Sequence, residues 1–141
     1  MKALVKVLIV VIVLVFGITT FLVGPKIWPP HPDVHPTPQQ LPFFMLLSAI
    51  EALTFGIGIA FIVLGWGIVR KASPAKKNWA IAMYFSIAWM LVSWWPHDNA
   101  HIHNGLETQG LLFIDYTFHF TLIIAAFILA YGLFVMLKEK K

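Results

Sequence analysis

The chain has no cysteine in its 141 residues, and only 11% of them are charged. The missing cysteine excludes disulfides, thiolate zinc sites, iron–sulfur clusters and covalently attached c-type haem, so a metal here has only nitrogen and oxygen ligands to choose from. The scarcity of charge excludes an ordinary water-soluble domain, which carries about 25% charged residues. Phosphate-cradling glycine loops are absent, and no serine or threonine has the flanking pattern of an activated nucleophile. The net charge of +4 does not by itself point to nucleic acid, because in a membrane protein the placement of charge matters more than its total, and nucleic acid is not an expected partner.

What is present is hydrophobic: 60% of the residues, with a mean hydropathy of +0.83. Four apolar segments of ~20 residues with short connections use nearly the whole length, which leaves one membrane domain over 1–141. The first span covers about 3–23. Met1 and Lys2 ahead of it imitate a secretory signal, but the long apolar run and the Gly24-Pro25-Lys26-Ile27 sequence after it lack a small-residue cleavage site, so a retained signal anchor is expected. The remaining spans are read at about 41–69, 79–95 and 111–137. A proline-rich outer loop occupies 24–40 and a polar one 96–110. Ser48, Ala52, Gly56 and Ala60 form a small-residue stripe on the second span, open to close approach by another helix: one of this chain, an unlike membrane subunit or a second copy.

Sidedness follows from the basic residues. Lys2, Lys6, Arg70, Lys71, Lys76, Lys77, Lys138, Lys140 and Lys141 lie at the N-terminus, between spans two and three, or at the C-terminus; Lys26 alone lies elsewhere. The positive-inside rule then makes both termini cytoplasmic, and Trp28, Trp94 and Trp95 mark the outer interface while Trp66 and Trp79 mark the inner one. The expected fold is all-α: an integral membrane, antiparallel four-helix bundle in a multi-pass cell-membrane protein, with its histidine-rich loops extracytoplasmic.

The polar residues sort to one side. All six histidines, His31, His35, His97, His101, His103 and His119, fall in the outer loops or at the outer end of the fourth span. Asp33, Asp98 and Glu107 join them, with Glu51 and Asp115 inside spans near the same depth. Asp115 and His119 are spaced i, i+4 and share a helix face; His97 and His101 do the same if Pro96 opens a helical turn. Ionisable residues within spans normally face protein or a water-filled cavity. Glu51, Asp98, His97, His101, His103, Asp115 and His119 thus form a mixed nitrogen and oxygen donor set for a transition metal: copper, zinc or non-haem iron. A metal-dependent redox or hydrolytic reaction on a small or lipidic substrate is the first expectation, and a non-catalytic small subunit of a larger membrane complex is the second. A proton-coupled transporter using Glu51 is the third. Trp28-Pro29 with His31 and His35 also echoes Trp95-Pro96 with His97 and His101, the mark expected of a duplicated two-helix unit.

Overall fold

The computed structural model describes residues 3–73 and 77–139, and every regular element among them is helical. In chain order these are α1 (Ala3–Ile27), α2 (Leu41–Leu64), α3 (Trp66–Ala72), α4 (Lys77–Val92), α5 (Trp94–Asn104), α6 (Thr108–Ile114), a π-helical segment (Asp115–Phe120) and α7 (Thr121–Glu139). Lys2, Lys76, Lys140 and Lys141, which weigh in the charge balance, lie outside the described residues.

The helix boundaries have local causes. Pro42 sits in the first turn of α2, where its fixed φ and missing N–H suit a helix start. Pro96 offers no N–H to the Val92 carbonyl, and α4 ends at Val92. The ladder resumes at once, with the His97 N–H donating to the Ser93 carbonyl at 2.9 Å, so α5 carries on from α4 with only a short break. The polar segment expected as a loop over 96–110 is therefore helical as far as Asn104. The helix closes at Gly105, whose φ of +61° suits a residue without Cβ.

Among the described residues three helices are long and apolar enough to cross a membrane: Ala3–Ile27, Leu41–Leu64 and the continuous Thr108–Lys138, which includes the π segment. At 16 residues, α4 is ~24 Å long and falls short of a ~30 Å hydrocarbon core on its own.

The long helices pack in chain order, α1 on α2, α2 on α4 and α4 on α7. Each pair is antiparallel. Gly17 of α1 lies against Ala52 and Leu53, while Gly56 lies against Val13. Gly58 meets Leu91 and Val92, and Phe61 stacks on Tyr84. Gly132 meets Met83, Trp79 packs on Tyr131, and Trp89 Nε1 donates to Thr121 Oγ1 at 2.9 Å. Among the described residues α1 and α7 do not form a packed pair, so the helices stand as a row and not as a closed ring. Such a row leaves most large apolar side chains of α1 and α7 exposed, the surface a lipid environment covers. The small-residue stripe finds its neighbour within the chain, since α1 covers Ala52 and Gly56.

Two buried apolar clusters form among the helices. Val69, Ala80 and Met83 form one buried cluster. Ala100, Ile114 and Phe118 form the other, with Trp28, Trp89 and Leu122 packed around it. The histidines sit on the second cluster.

A Cβ at Gly56 would lie 2.6 Å from the Val13 carbonyl oxygen, whereas Gly67 has nothing within 4 Å. Gly56→Ala is therefore expected to push α1 off α2 and destabilise the protein by about 1–3 kcal/mol, and Gly67→Ala, within α3, to hold stability or raise it by up to about 1 kcal/mol. Thermal unfolding of both variants in detergent micelles checks this; equal midpoints would contradict the packing.

Candidate metal centre

Three imidazoles from two elements converge on the outer cluster. On α5 the i, i+4 spacing sets His97 edge-on to His101, with ring centroids 4.7 Å apart. From the π segment, His119 brings its Nε2 to within 2.8 Å of His97 Nε2. One nitrogen from each of His97, His101 and His119 lies within 4.8 Å of the other two. Phe118 forms the floor: it is buried, its ring packs edge-on to His97 at 5.4 Å, and it lies parallel to Trp89.

Asp115 orients the cluster from behind. Its Oδ1 is 2.7 Å from His119 Nδ1, so that nitrogen carries the hydrogen and donates it. Neutral His119 then has a bare Nε2 lone pair, which accepts from His97 Nε2–H. A lone pair aimed at two neighbouring imidazoles is what a metal ligand presents once its other nitrogen is held by a carboxylate.

The π segment interrupts an otherwise regular helix at this point. A π turn widens the helix and shifts the register of the residues beyond it; such turns are rare and concentrate at functional sites. Here the Thr121 hydroxyl donates back to the Thr117 and Phe118 carbonyls while accepting from Trp89, a back-bonding of the kind that accompanies bends in helices. Sequence reasoning placed Asp115 and His119 on one face but missed the π turn, the Phe118 floor and the Trp89–Thr121 tie. The mid-helix Thr117 and Thr121 among aromatic residues were the available signal.

The remaining residues of the expected donor set go elsewhere. His103 Nδ1–H donates to the Pro29 carbonyl at 2.7 Å, with its ring against Trp28, and so pins the proline-rich loop onto α5. His31 helps from the other side: its N–H donates to the Ile102 carbonyl, and its ring lies beside Asp33. Asp98 faces Glu51, which is buried on α2, and its charge also acts on His97; among the described residues the donor group within 4.8 Å comprises the three histidines without either carboxylate. The Trp-Pro-His echo does not extend to structure. Residues His97 to His101 are helical, whereas His31 to His35 lie in a turn and extended chain.

The cluster also sets its own protonation. Burial, then the neighbouring His101 and His119, lower the His97 pKa below the usual imidazole value of 6.5, with Asp98 opposing. Neutral imidazole is the ligand form, so these neighbours favour it.

Comparison with protein-family models, curated proteins and solved structures finds no match.

Because folded His97 holds its proton less tightly than an unfolded imidazole does, unfolding takes up a proton just below pH 6.5. The stabilisation is complete above that value and declines as the pH falls through it. The metal-free protein should therefore show a falling thermal midpoint below this pH, and His97→Gln should flatten that part of the curve. Superimposable pH profiles for the two proteins would contradict the assignment.

Proposed function

We propose that this chain is a four-pass membrane protein with cytoplasmic termini that holds one transition-metal ion near its outer surface on His97, His101 and His119. The observation that carries this reading is the approach of three imidazole nitrogens to within 4.8 Å of one another, from two elements with α6 between them. Two ligand atoms on a tetrahedral ion with ~2.0 Å bonds stand ~3.3 Å apart. That value falls between the 2.8 Å His97–His119 separation and the outer limit of the cluster. Small side-chain rotations suffice to close it.

The donor chemistry supports zinc or copper ahead of non-haem iron. An iron site of the facial-triad kind takes two histidines and one carboxylate, but the Asp115 oxygen nearest the cluster is engaged by His119 Nδ1. Three neutral imidazoles suit zinc or copper and leave a fourth position for water or substrate. The Asp115 carboxylate raises the basicity of His119 without entering the coordination shell. The side chains of His119 and Asp115 are 45% and 57% exposed, which leaves room for a ligand from outside the chain at the fourth position. Zinc held by these three histidines would supply Lewis-acid chemistry, and copper would supply one-electron chemistry, toward a small or lipidic substrate reaching the membrane surface.

The four-pass reading joins α4 to the start of α5. The two are separated by Ser93 alone, and together they are long enough to bring the basic end of α4 to one interface and the histidines to the other. Trp28, Trp94 and Trp95 gather near α5, while Trp66 and Trp79 lie at the far end of the row beside Tyr84 and Tyr131. Aromatic belts at two interfaces have this arrangement.

Chelated protein reloaded with zinc or copper should bind about one ion per chain. His97→Ala and His119→Ala should abolish this, Asp115→Ala should weaken affinity by about 10–100-fold, and His103→Ala should leave it intact. Equal metal content in wild type and in the His97→Ala/His101→Ala/His119→Ala triple variant would remove the proposal.

The absence of native cysteine makes any introduced thiol unique. Leu106→Cys, at a position 87% exposed, should react with a membrane-impermeant maleimide on intact cells, and Lys77→Cys only after lysis. The opposite pattern would invert the topology.

A further inference from the structure

Two hollows meet along α4. The first, of about 560 Å³, lies at the helix end away from the histidines and is lined by Lys77, Asn78, Trp79 and Ala82. The second, of about 250 Å³, follows the seam between the helices, with Ala82, Phe85 and Trp89 of α4 on one side and Ile124, Ala125 and Ile128 of α7 on the other. Ala82 lines both, and Trp79 packs on Tyr131 of α7, which sets the two on the same side of α4. They form one groove with a polar mouth and an apolar stem, closed at the top where Trp89 Nε1 donates to Thr121 Oγ1.

Charge and shape together select the occupant. Lys77 stands in the mouth, and Arg70 and Lys71 of α3 and Lys138 of α7 belong to the same end, where the Ser73 hydroxyl reaches both Met83 and Met136. Of the acids in the sequence only Glu139 belongs to this end; Asp33, Glu51, Asp98, Glu107 and Asp115 lie in the outer half. The mouth therefore favours an anion, and the Lys77 ammonium and Asn78 amide are donors that the acceptor oxygens of a phosphate complement. The stem decides what the phosphate is attached to. A cavity of about 150 Å³ holds the six carbons of benzene, so the stem accommodates on the order of ten carbons. That is room for an alkyl chain, whereas a packed helix has a diameter of ~10–12 Å. From Lys77 to Trp89 the helix rises ~18 Å, close to the ~15 Å of half a hydrocarbon core. Basic pockets between membrane-spanning helices bind anionic lipid heads.

We propose that this groove holds one anionic phospholipid, with its phosphate on Lys77 and Asn78 and one acyl chain running past Ala82 toward Trp89. Trp79 stands where head and chain join, the level at which amphipathic rings settle. A free phosphate would leave the apolar stem unfilled, and a choline head would set a second cation among the basic residues. The placement of this lipid in the cytoplasmic leaflet rests on the topology proposed above; its binding does not, and no residue of the metal centre takes part in it.

Native mass spectrometry of the full chain in detergent, titrated with dioleoyl phosphatidylglycerol, tests this. One lipid should bind per chain, saturably and at least about tenfold tighter than phosphatidylcholine with the same acyl chains. Glycerol 1-phosphate, the head without a chain, should not displace it. Lys77→Gln should weaken phosphatidylglycerol binding about fivefold and leave phosphatidylcholine binding unchanged. Ala82→Trp, at the residue common to both hollows, should weaken phosphatidylglycerol binding at least about tenfold. Equal affinity for the two lipids, wild-type affinity for phosphatidylglycerol in Lys77→Gln, or displacement by glycerol 1-phosphate would overturn the proposal. Lys77 is exposed, so the outcome for that variant stands whether or not Ala82→Trp folds.

Discussion

The contact between His97 and His119 joins the two halves of the outer layer, and the local geometry around it makes sense as a means of reaching that contact. One partner rides on a helix that continues from α4 past a proline. The other sits on a π turn inside the last long helix. Neither device is needed for lipid burial, and each perturbs a helix that would otherwise run straight. Together they bring imidazoles separated by 22 residues to 2.8 Å, above a floor of Phe118 and Trp89 that excludes water from one side.

The polar residues of the outer end divide by task once placed. His97, His101 and His119 meet as ligands do, and Asp115 fixes the tautomer of one of them. His103 and His31 do mechanical work, holding the proline-rich loop against α5 through backbone carbonyls. Glu51 and Asp98 face each other on the α2 side. A single histidine-rich composition thus serves three purposes, distinguished by what each ring nitrogen touches.

Much of the architecture was legible in the sequence because it follows from desolvation. An apolar run of lipid-crossing length has to be helical to satisfy its backbone, so the long helices were readable directly from composition. The i, i+4 pairs His97–His101 and Asp115–His119 were readable for a similar reason, since helical spacing places them on one face. The membership of the cluster was not. Depth alone put Glu51, Asp98 and His103 at the same level as the three clustered histidines, but level says nothing of azimuth: His103 turns to the Pro29 carbonyl, and Glu51 and Asp98 face each other. The π turn was hidden because its cause is tertiary: Trp89 engages Thr121 from another helix. The expected polar loop over 96–110 proved largely helical because Pro96 falls in the first turn of α5, where proline is tolerated, instead of in a helix interior where it would break the chain's path.

The central claim is that three imidazoles share one ion. X-ray absorption at the zinc edge of the zinc-loaded protein tests it most directly. The account predicts three imidazole nitrogens at ~2.0–2.1 Å, visible through the outer-shell scattering of their rings, with one lighter ligand completing the shell. A spectrum of oxygen ligands with one imidazole or none would contradict it.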